Sequence, residues 1–278
     1  LNLHELPMRV RNKRMSVVIE STYGDTSVEE INHGFFSEKV LEAIEERKTI
    51  ILPVFSLGRS QEILLRLKEL QDTNKLDVNI PIYFDGKLAQ AYTALYCNSK
   101  MLIDESKKDF FPRNLVAVNC EIREKLLQTD DCKIIVTTSG MGTYGPAQVY
   151  IPYFISKENA LILFTGYTAE GSFGANLRNA EEGEIVKVGG LICKKFADVS
   201  YCNEFSAHAK SEELIELLKK FNNLRGVLIN HGQTETKDAF AEKILKEIDI
   251  SEVGILNREY FFRIGSYGII KTLSTKFK

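Results

Sequence analysis

The sequence predicts an α/β protein with a parallel sheet, because strand-like and helix-like segments alternate along its 278 residues. Short apolar runs of the strand type fall at residues 16–19, 49–54, 79–84, 133–138 and 160–165. Longer segments with helical periodicity lie between them, such as residues 60–70, for which Ser60 is a suitable N-cap. This alternation is typical of parallel strands joined by helical crossovers.

The composition is that of an ordinary globular chain, with 44% hydrophobic and 27% charged residues. The formal net charge of -2 excludes a polycation, so any contact with nucleic acid must use a local patch. No apolar run approaches the roughly 18 residues of a membrane span, which predicts that the protein has no membrane partner. The 5 cysteines form no CxxC pair, and we therefore expect reduced thiols and a cytoplasmic location.

Three side chains that can transfer protons or bind metals stand beside predicted strands or helices. Glu20 ends the first strand, His208 precedes a helix, and His231 follows the strand at residues 226–229. Such groups can act as acid, base and metal ligand if they converge on one cleft. A structural, hydrogen-bonded role for each histidine remains open from spacing alone. The 4 histidines are too far apart in sequence for an HxH or HExxH motif.

Glycines concentrate where two predicted strands end. Nine of the 18 glycines fall within residues 140–190, after the strands at 133–138 and 160–165. Ligands of open α/β sheets bind outside the carboxyl ends of the strands, so this cluster is a candidate binding site. The alternative is that these glycines only close tight turns.

Six segments of the sequence form an ordered set of motifs. They are residues 20–25 (Glu-Ser-Thr-Tyr-Gly-Asp), 52–62 (Leu-Pro-Val-Phe-Ser-Leu-Gly-Arg-Ser-Gln-Glu), 139–141 (Ser-Gly-Met), 166–174, 205–209 (Phe-Ser-Ala-His-Ala) and 230–232 (Asn-His-Gly). Their order and composition resemble the β-CASP branch of the metallo-β-lactamase superfamily, and the resemblance spans residues 16–245. That branch includes the nuclease subunit of the cleavage and polyadenylation factor, its archaeal relatives and RNase J.

The resemblance implies a domain order. Residues 1–25 would end an N-terminal metallo-β-lactamase portion, and residues 26–191 would form a β-CASP domain with a parallel sheet flanked by helices. Residues 192–278 would supply the C-terminal part of an αββα metallo-β-lactamase sandwich. The implied activity is hydrolysis of RNA phosphodiester bonds by a metal-dependent ribonuclease.

The resemblance also implies residue roles. Glu20 would be the motif A carboxylate that orients His208, the motif B histidine, which protonates the leaving oxygen. His231 would be the motif C metal ligand, and a complete enzyme is expected to hold two zinc ions. Predicted contacts to the sugar-phosphate backbone are Arg59, Ser139, Gly140, Met141, Thr143, Gly166, Tyr167, Gly171 and Gly174. The alternatives are that Arg59 pairs with a carboxylate and that Tyr23 and Tyr167 only pack.

The sequence also departs from the family pattern. The HxHxDH metal-binding motif is missing, and with His231 as the single candidate ligand this chain is expected not to hold both zinc ions. Part of the sandwich would be missing with it, leaving an apolar sheet face that needs a cover. Lys210 replaces an acidic residue common after motif B, and Lys87 stands where a Ser-Pro pair is frequent. The alternatives for both lysines are contact with phosphate and an ordinary solvated position, and we interpret both as solvated.

Three functional hypotheses follow. In the first, the chain is an incomplete part of a catalytic ribonuclease that needs its N-terminal half or a complementing subunit. In the second, it is an inactive RNA-binding or scaffold subunit, and in the third a hydrolase of small phosphoesters. Retention of Glu20, His208 and His231 favours the first, and association into homo- or hetero-oligomers is expected. His33 is interpreted as a surface residue, and His4 is expected to have no catalytic role.

Overall fold

The computed structural model describes two compact units, which are treated separately. It covers residues 12–27, 32–98, 110–166, 168, 172–188, 190–205, 208–250, 252–257, 260–265 and 268–273. The inserted unit comprises residues 32–206, and the split unit combines residues before 32 with those after 206. The predicted family boundaries lie at 25/26 and 191/192 and stay predictions. The later end of the inserted unit has a physical reason, because the strand at 198–201 is hydrogen-bonded into its sheet.

The inserted unit contains a six-stranded parallel sheet, as the alternating pattern predicts. The strand order is β4-β3-β5-β2-β6-β9. Its strands are β2 (Thr49–Pro53), β3 (Ile82–Asp85), β4 (Leu115–Ala117), β5 (Lys133–Thr137), β6 (Ala160–Phe164) and β9 (Asp198–Tyr201). A hairpin of β7 (Ile185–Val188) and β8 (Leu191–Lys194) accompanies it.

Helices cover both faces of this sheet, which is why its central strands are predominantly apolar. All residues of β2, β5 and β6 are buried, and alternate side chains enter two separate cores. The helices are α1 (Phe35–Glu45), α2 (Arg59–Asp72), α3 (Lys87–Asn98), α4 (Cys120–Leu126), α5 (Ala147–Phe154) and α6 (Phe173–Asn179). Helices α1 to α3 contribute to one core, and α4 to α6 contribute to the other.

One predicted helix cap is wrong. Helix α2 begins at Arg59 with Gly58 at the N-cap position, and Ser60 lies inside the first turn. The Ser60 hydroxyl donates to the carbonyl oxygen of Ser56 at 2.9 Å instead of accepting from the helix. Gly58 has φ 78°, a left-handed conformation that glycine adopts readily.

The split unit has a parallel sheet of three strands in the order β1-β10-β11. These are β1 (Met15–Glu20), β10 (Leu224–Asn230) and β11 (Glu252–Ile255), and a hairpin of β12 (Tyr260–Gly265) and β13 (Gly268–Leu273) follows. Helices α7 (Ser211–Lys219) and α8 (Thr234–Glu247) share one core with the sheet. The predicted apolar stripe of α7 is present at Leu214, Leu217 and Leu218, but Phe221 lies beyond the end of the helix.

The other face of this sheet is partly covered, as the expected incomplete sandwich would require. Leu228 on β10 is buried, and a Cβ on Gly254 would lie 2.7 Å from its side chain and 2.8 Å from the ring of Phe262. The hairpin therefore packs over β10 and β11. On β1, Val18 is 57% exposed. Within the described ranges, no helix has the length and apolar character of a membrane span.

Candidate active site

Glu20 and His231 start from neighbouring positions at one edge of the split-unit sheet. Glu20 is the last residue of β1 and is in register with Asn230, the last residue of β10. Because the two strands are parallel, their carboxyl ends meet at the same edge. The predicted motif A and motif C residues therefore leave the sheet side by side.

Glu20 contacts His208, although 188 positions separate them. The His208 Nδ1 atom lies 3.1 Å from Glu20 Oε1, and the other carboxylate oxygen accepts the Thr22 backbone N–H at 2.8 Å. Burial raises the pKa of Glu20, but hydrogen bonds from Thr22 and His208 outweigh it and hold the pKa below its usual value. The carboxylate is thus ionised at neutral pH, while the His208 side chain is 47% exposed.

His231 sits in a tight turn that Ser21 secures. His231 has φ 50° and Gly232 has φ 89°, both in the left-handed region. The Ser21 hydroxyl donates to the His231 carbonyl oxygen at 2.7 Å. A Cβ on Gly232 would lie 2.7 Å from the Ser21 carbonyl oxygen, so only glycine fits there. The turn leaves the His231 side chain exposed.

The loop at residues 20–25 is also fastened to helix α8. A Cβ on Gly24 would lie 2.8 Å from the side chain of Phe240, which explains the glycine. Asp25 Oδ2 accepts a hydrogen bond from the Thr236 hydroxyl at 2.8 Å. These contacts give each residue of the motif a structural task that the sequence pattern alone does not reveal. The loop thereby connects all three predicted motifs.

Lys210 is not solvated, so the interpretation of this residue as an ordinary surface lysine is wrong. Its exposed fraction is 3%, and its Nζ lies 3.5 Å from the ring centroid of Tyr23. Tyr23 in turn contacts His208, with ring centroids 6.2 Å apart and planes tilted by 56°. Lys87, in contrast, is exposed as expected, and so is His33.

In the inserted unit, the loops after β2, β5 and β6 meet around the ring of Phe55. A Cβ on Gly140 would lie 3.0 Å from the Phe55 ring, and one on Gly166 would lie 3.3 Å from it. The ring remains 38% exposed. The structure therefore brings the predicted binding residues Ser139, Gly140, Met141 and Gly166 to one edge of the sheet, and it explains two glycines by close packing.

The loop at residues 139–144 presents backbone N–H groups. Ser139 closes it, because its N–H donates to the Tyr144 carbonyl oxygen at 3.0 Å and its hydroxyl accepts the Tyr144 N–H at 3.1 Å. Within the described part of the chain, the N–H groups of Gly140, Met141 and Thr143 have no hydrogen-bond acceptor. Such groups suit anionic oxygens.

Arg59 pairs with a carboxylate, which was the alternative to phosphate binding. Its Nη1 lies 3.6 Å from a carboxylate oxygen of Glu62, and its guanidinium lies 5.4 Å from the ring centroid of Phe205. The side chain is 8% exposed. A role for Arg59 in RNA binding stays a prediction.

The remaining predicted binding residues are Gly174, Tyr167 and Gly171. Gly174 is buried inside α6, where a Cβ would lie 2.6 Å from Thr168 and 3.2 Å from Phe164. Tyr167 and Gly171 are outside the described residues, as is His4.

The sequence reasoning did not single out a buried polar network at the end of β3. Asp85 receives two hydrogen bonds from Arg123, at 2.7 and 2.8 Å, and one from the Tyr150 hydroxyl at 2.7 Å. Desolvation and its hydrogen bond to Asp85 raise the pKa of Tyr150, and the separate hydrogen bonding of Arg123 to Asp85 raises the pKa of Arg123. An acidic residue directly after an apolar strand is the same signal that identified Glu20.

The described side chains do not fit a complete zinc centre. A zinc ion takes about three or four protein ligands. In the ranges that the structure covers, no group of three or more His, Cys, Asp and Glu side chains is placed to hold a metal ion. All 5 cysteines are free thiols, and two of them, Cys132 and Cys202, are buried.

The chain thus combines an α/β unit with a second unit, formed by the segments that flank it in sequence, in which Glu20 at a strand end contacts His208. The family model of the Beta-Casp domain matches residues 60–177. A second model, the Zn-dependent metallo-hydrolase RNA specificity domain, matches residues 196–253. The chain belongs to the β-CASP family of metallo-β-lactamase-fold proteins.

Relatives support this assignment. An RNase J-like protein of Methanocaldococcus jannaschii is 34% identical over 242 residues, which is 84% of this chain and 56% of the relative. RNase aCSPSF2 of Saccharolobus solfataricus is 28% identical, over 85% of this chain and 46% of the relative. The transcription termination factor FttA of Methanococcus maripaludis is 30% identical, over 78% of this chain and 37% of the relative. The chain thus spans about half the length, or less, of these relatives.

Proposed function

We propose that the chain is the part of a ribonuclease that binds RNA and donates a proton during hydrolysis of phosphodiester bonds. The contact between Glu20 and His208 carries the proposal. Hydrolysis of a phosphodiester needs an acid for the leaving oxygen, and a histidine oriented by a carboxylate is suited to that task. The names of two relatives, an RNase J-like protein and RNase aCSPSF2, support the substrate class.

Glu20 and His208 have different roles in the proposed reaction. The ionised Glu20 accepts from His208 Nδ1, which fixes the ring and directs Nε2 away from the carboxylate. When the imidazole is protonated, Nε2 donates its proton to the leaving oxygen, and Glu20 stabilises the positive ring until the transfer. The lowered pKa of Glu20 keeps this partner charged across the physiological range.

We assign no catalytic step to zinc in this chain. The match of residues 196–253 to the Zn-dependent metallo-hydrolase RNA specificity domain supports zinc as the family metal. His231 is the candidate ligand among the described residues, and the other ligands would come from a metallo-β-lactamase portion or from a complementing subunit. A ribonuclease built in this way would act as a homo- or hetero-oligomer or a longer polypeptide, and we propose a cytoplasmic location.

The loop at residues 139–144 is proposed to grip the RNA backbone. Three of its N–H groups have no acceptor among the described residues, and phosphate oxygens are suitable acceptors. Binding of this kind is independent of base identity, because the phosphates carry no sequence information. Affinity is therefore expected to depend on salt more than on sequence.

A complementation assay tests the proposed function. The chain is mixed with a polypeptide carrying an HxHxDH segment, and cleavage of end-labelled single-stranded RNA is measured with and without zinc. We expect zinc-dependent cleavage that His208→Gln lowers by about a hundredfold or more, since proton transfer supplies roughly 10²–10⁴ in rate. His33→Gln is the matched control, because His33 is an exposed histidine of the inserted unit, and should leave the rate unchanged.

The absence of a metal-binding group among the described residues favours one alternative, an inactive RNA-binding subunit. In that case the zinc-loaded mixture binds RNA in a filter assay without cutting it. Cleavage that persists in His208→Gln at the wild-type rate would contradict the role proposed for this histidine.

A further inference from the structure

The backbone at Lys210 is hydrogen-bonded to the segments that surround the candidate active site. It precedes α7, and its N–H donates to Glu213 Oε2 at 2.8 Å. It also forms a parallel bridge with Tyr23, and the next N–H, that of Ser211, donates to the Thr26 carbonyl oxygen at 3.2 Å. The segment after His208 is thus joined to the loop that carries Glu20, and both belong to the split unit.

The ammonium group of Lys210 lies against the face of Tyr23. Its Nζ is 3.5 Å from the ring centroid, and the whole residue is 3% exposed. The face of an aromatic ring carries a negative electrostatic potential, so it attracts a cation and repels a carboxylate. This attraction grows when water is excluded. The acidic residue that the family commonly has at this position would therefore not make the same contact.

Tyr23 transmits this contact to His208. The two rings are 6.2 Å apart and tilted by 56°, and His208 Nδ1 is 3.1 Å from Glu20. The imidazole therefore has both an aromatic ring and a carboxylate as neighbours. Because His208 is 47% exposed, surrounding packing alone restrains it weakly.

We propose that Lys210 is a positioning residue for His208: its ammonium holds the Tyr23 ring, and the ring holds the imidazole at Glu20. This inference rests on the proposed function in one respect, namely that His208 is the proton donor. It predicts that removing the charge of Lys210 changes the orientation of His208 although the two side chains need not touch.

Side-chain NMR tests the geometry without any need for catalysis. Long-range ¹H–¹⁵N spectra of the full chain report the protonation of each imidazole nitrogen, and His208→Gln assigns the His208 signals. In Lys210→Met we expect the equilibrium constant between the Glu20-bound and unbound forms of His208 to fall about tenfold, the size of a desolvated cation–π contact. Lys210→Arg retains a cation and should restore the wild-type signal.

Lys87→Met is the matched control, since Lys87 is the other lysine that departs from the family pattern and is exposed. It should leave the His208 signals unchanged. Tyr23→Leu should reproduce the effect of Lys210→Met, and the double variant should show no further loss, because the two residues act through one contact. Tyr23→Phe keeps the ring and should retain the wild-type signal.

An unchanged His208 signal in either Lys210→Met or Tyr23→Leu overturns the inference. If Lys210→Met does not fold, the milder Lys210→Gln takes its place, and restoration by Lys210→Arg still decides between charge and packing. In the complemented ribonuclease, Lys210→Met should lower kcat about tenfold with KM unchanged, because positioning affects the proton transfer and not RNA binding. Cleavage that is insensitive to His208→Gln would reject the proposed function while leaving the NMR result intact.

Discussion

The two units use the carboxyl ends of their parallel strands in opposite ways. In the split unit, the edge carries Glu20 and His231, and the neighbouring His208 is nearly half exposed. In the inserted unit, the acidic residue at the edge, Asp85, is 1% exposed and fully engaged by Arg123 and Tyr150. The edge of the split unit presents side chains that can transfer protons, and the edge of the inserted unit presents backbone N–H groups and the ring of Phe55.

This difference teaches that a strand-end carboxylate is not by itself a sign of catalysis. Glu20 and Asp85 follow apolar strands in the same manner, yet their partners differ in number and burial. A partly exposed carboxylate with two hydrogen bonds, as at Glu20, stays available to a reacting group. One that is buried with three hydrogen bonds stabilises the fold.

The largest expected effect concerns Asp85. Asp85→Ala leaves the guanidinium of Arg123 and the hydroxyl of Tyr150 without their acceptor, and we expect a loss of about 3 kcal/mol in the free energy of unfolding. Urea denaturation measures it. Glu45→Ala, at an exposed position on α1, is the control and should change stability by a few tenths of a kcal/mol. A stable Asp85→Ala variant that has lost RNA cleavage would contradict the comparison.

An intermediate effect is expected from Gly232→Ala. The left-handed backbone and the 2.7 Å approach to the Ser21 carbonyl oxygen both oppose a side chain, so we expect a loss of about 2–3 kcal/mol. Gly183→Ala is matched to it, because Gly183 has φ 78° but open space around its Cβ position, and it should cost about 1 kcal/mol. Equal losses in the two variants would show that the contact with Ser21 is unimportant.

The smallest effect is the pH dependence that Glu20 contributes. Because its pKa is lowered in the folded state, the stabilisation is present above the usual value of 4.5 and is lost as the pH falls through the lowered pKa. Unfolding free energies measured from pH 7 to pH 3 should therefore decrease more in the wild type than in Glu20→Gln. Glu45→Gln serves as the exposed control. Identical pH profiles for wild type and Glu20→Gln would indicate that the hydrogen bonds to Glu20 from Thr22 and His208 do not persist in solution.

Much of the fold could be predicted because it depends on local pattern. The apolar runs at residues 49–54, 133–138 and 160–165 became strands within one residue of the expected ends, since only buried strands tolerate such composition. Helix ends were less predictable. Ser60 has the side chain of an N-cap, yet the N-cap position is Gly58, two residues earlier, and the Ser60 hydroxyl donates to the Ser56 carbonyl oxygen instead.

The sequence by itself determined the class of architecture, because strand periodicity is a property of neighbouring residues. It also identified Glu20, His208 and His231 as candidate active-site residues, because the motifs that contain them can be read from the sequence. Only the tertiary structure decided which charges are buried. Lys210 and Tyr23 are 187 positions apart, and Asp85 and Tyr150 are 65 apart, so no local pattern reports their contacts. Burial sets whether a lysine is solvated or positions an imidazole, and burial is a property of the folded chain.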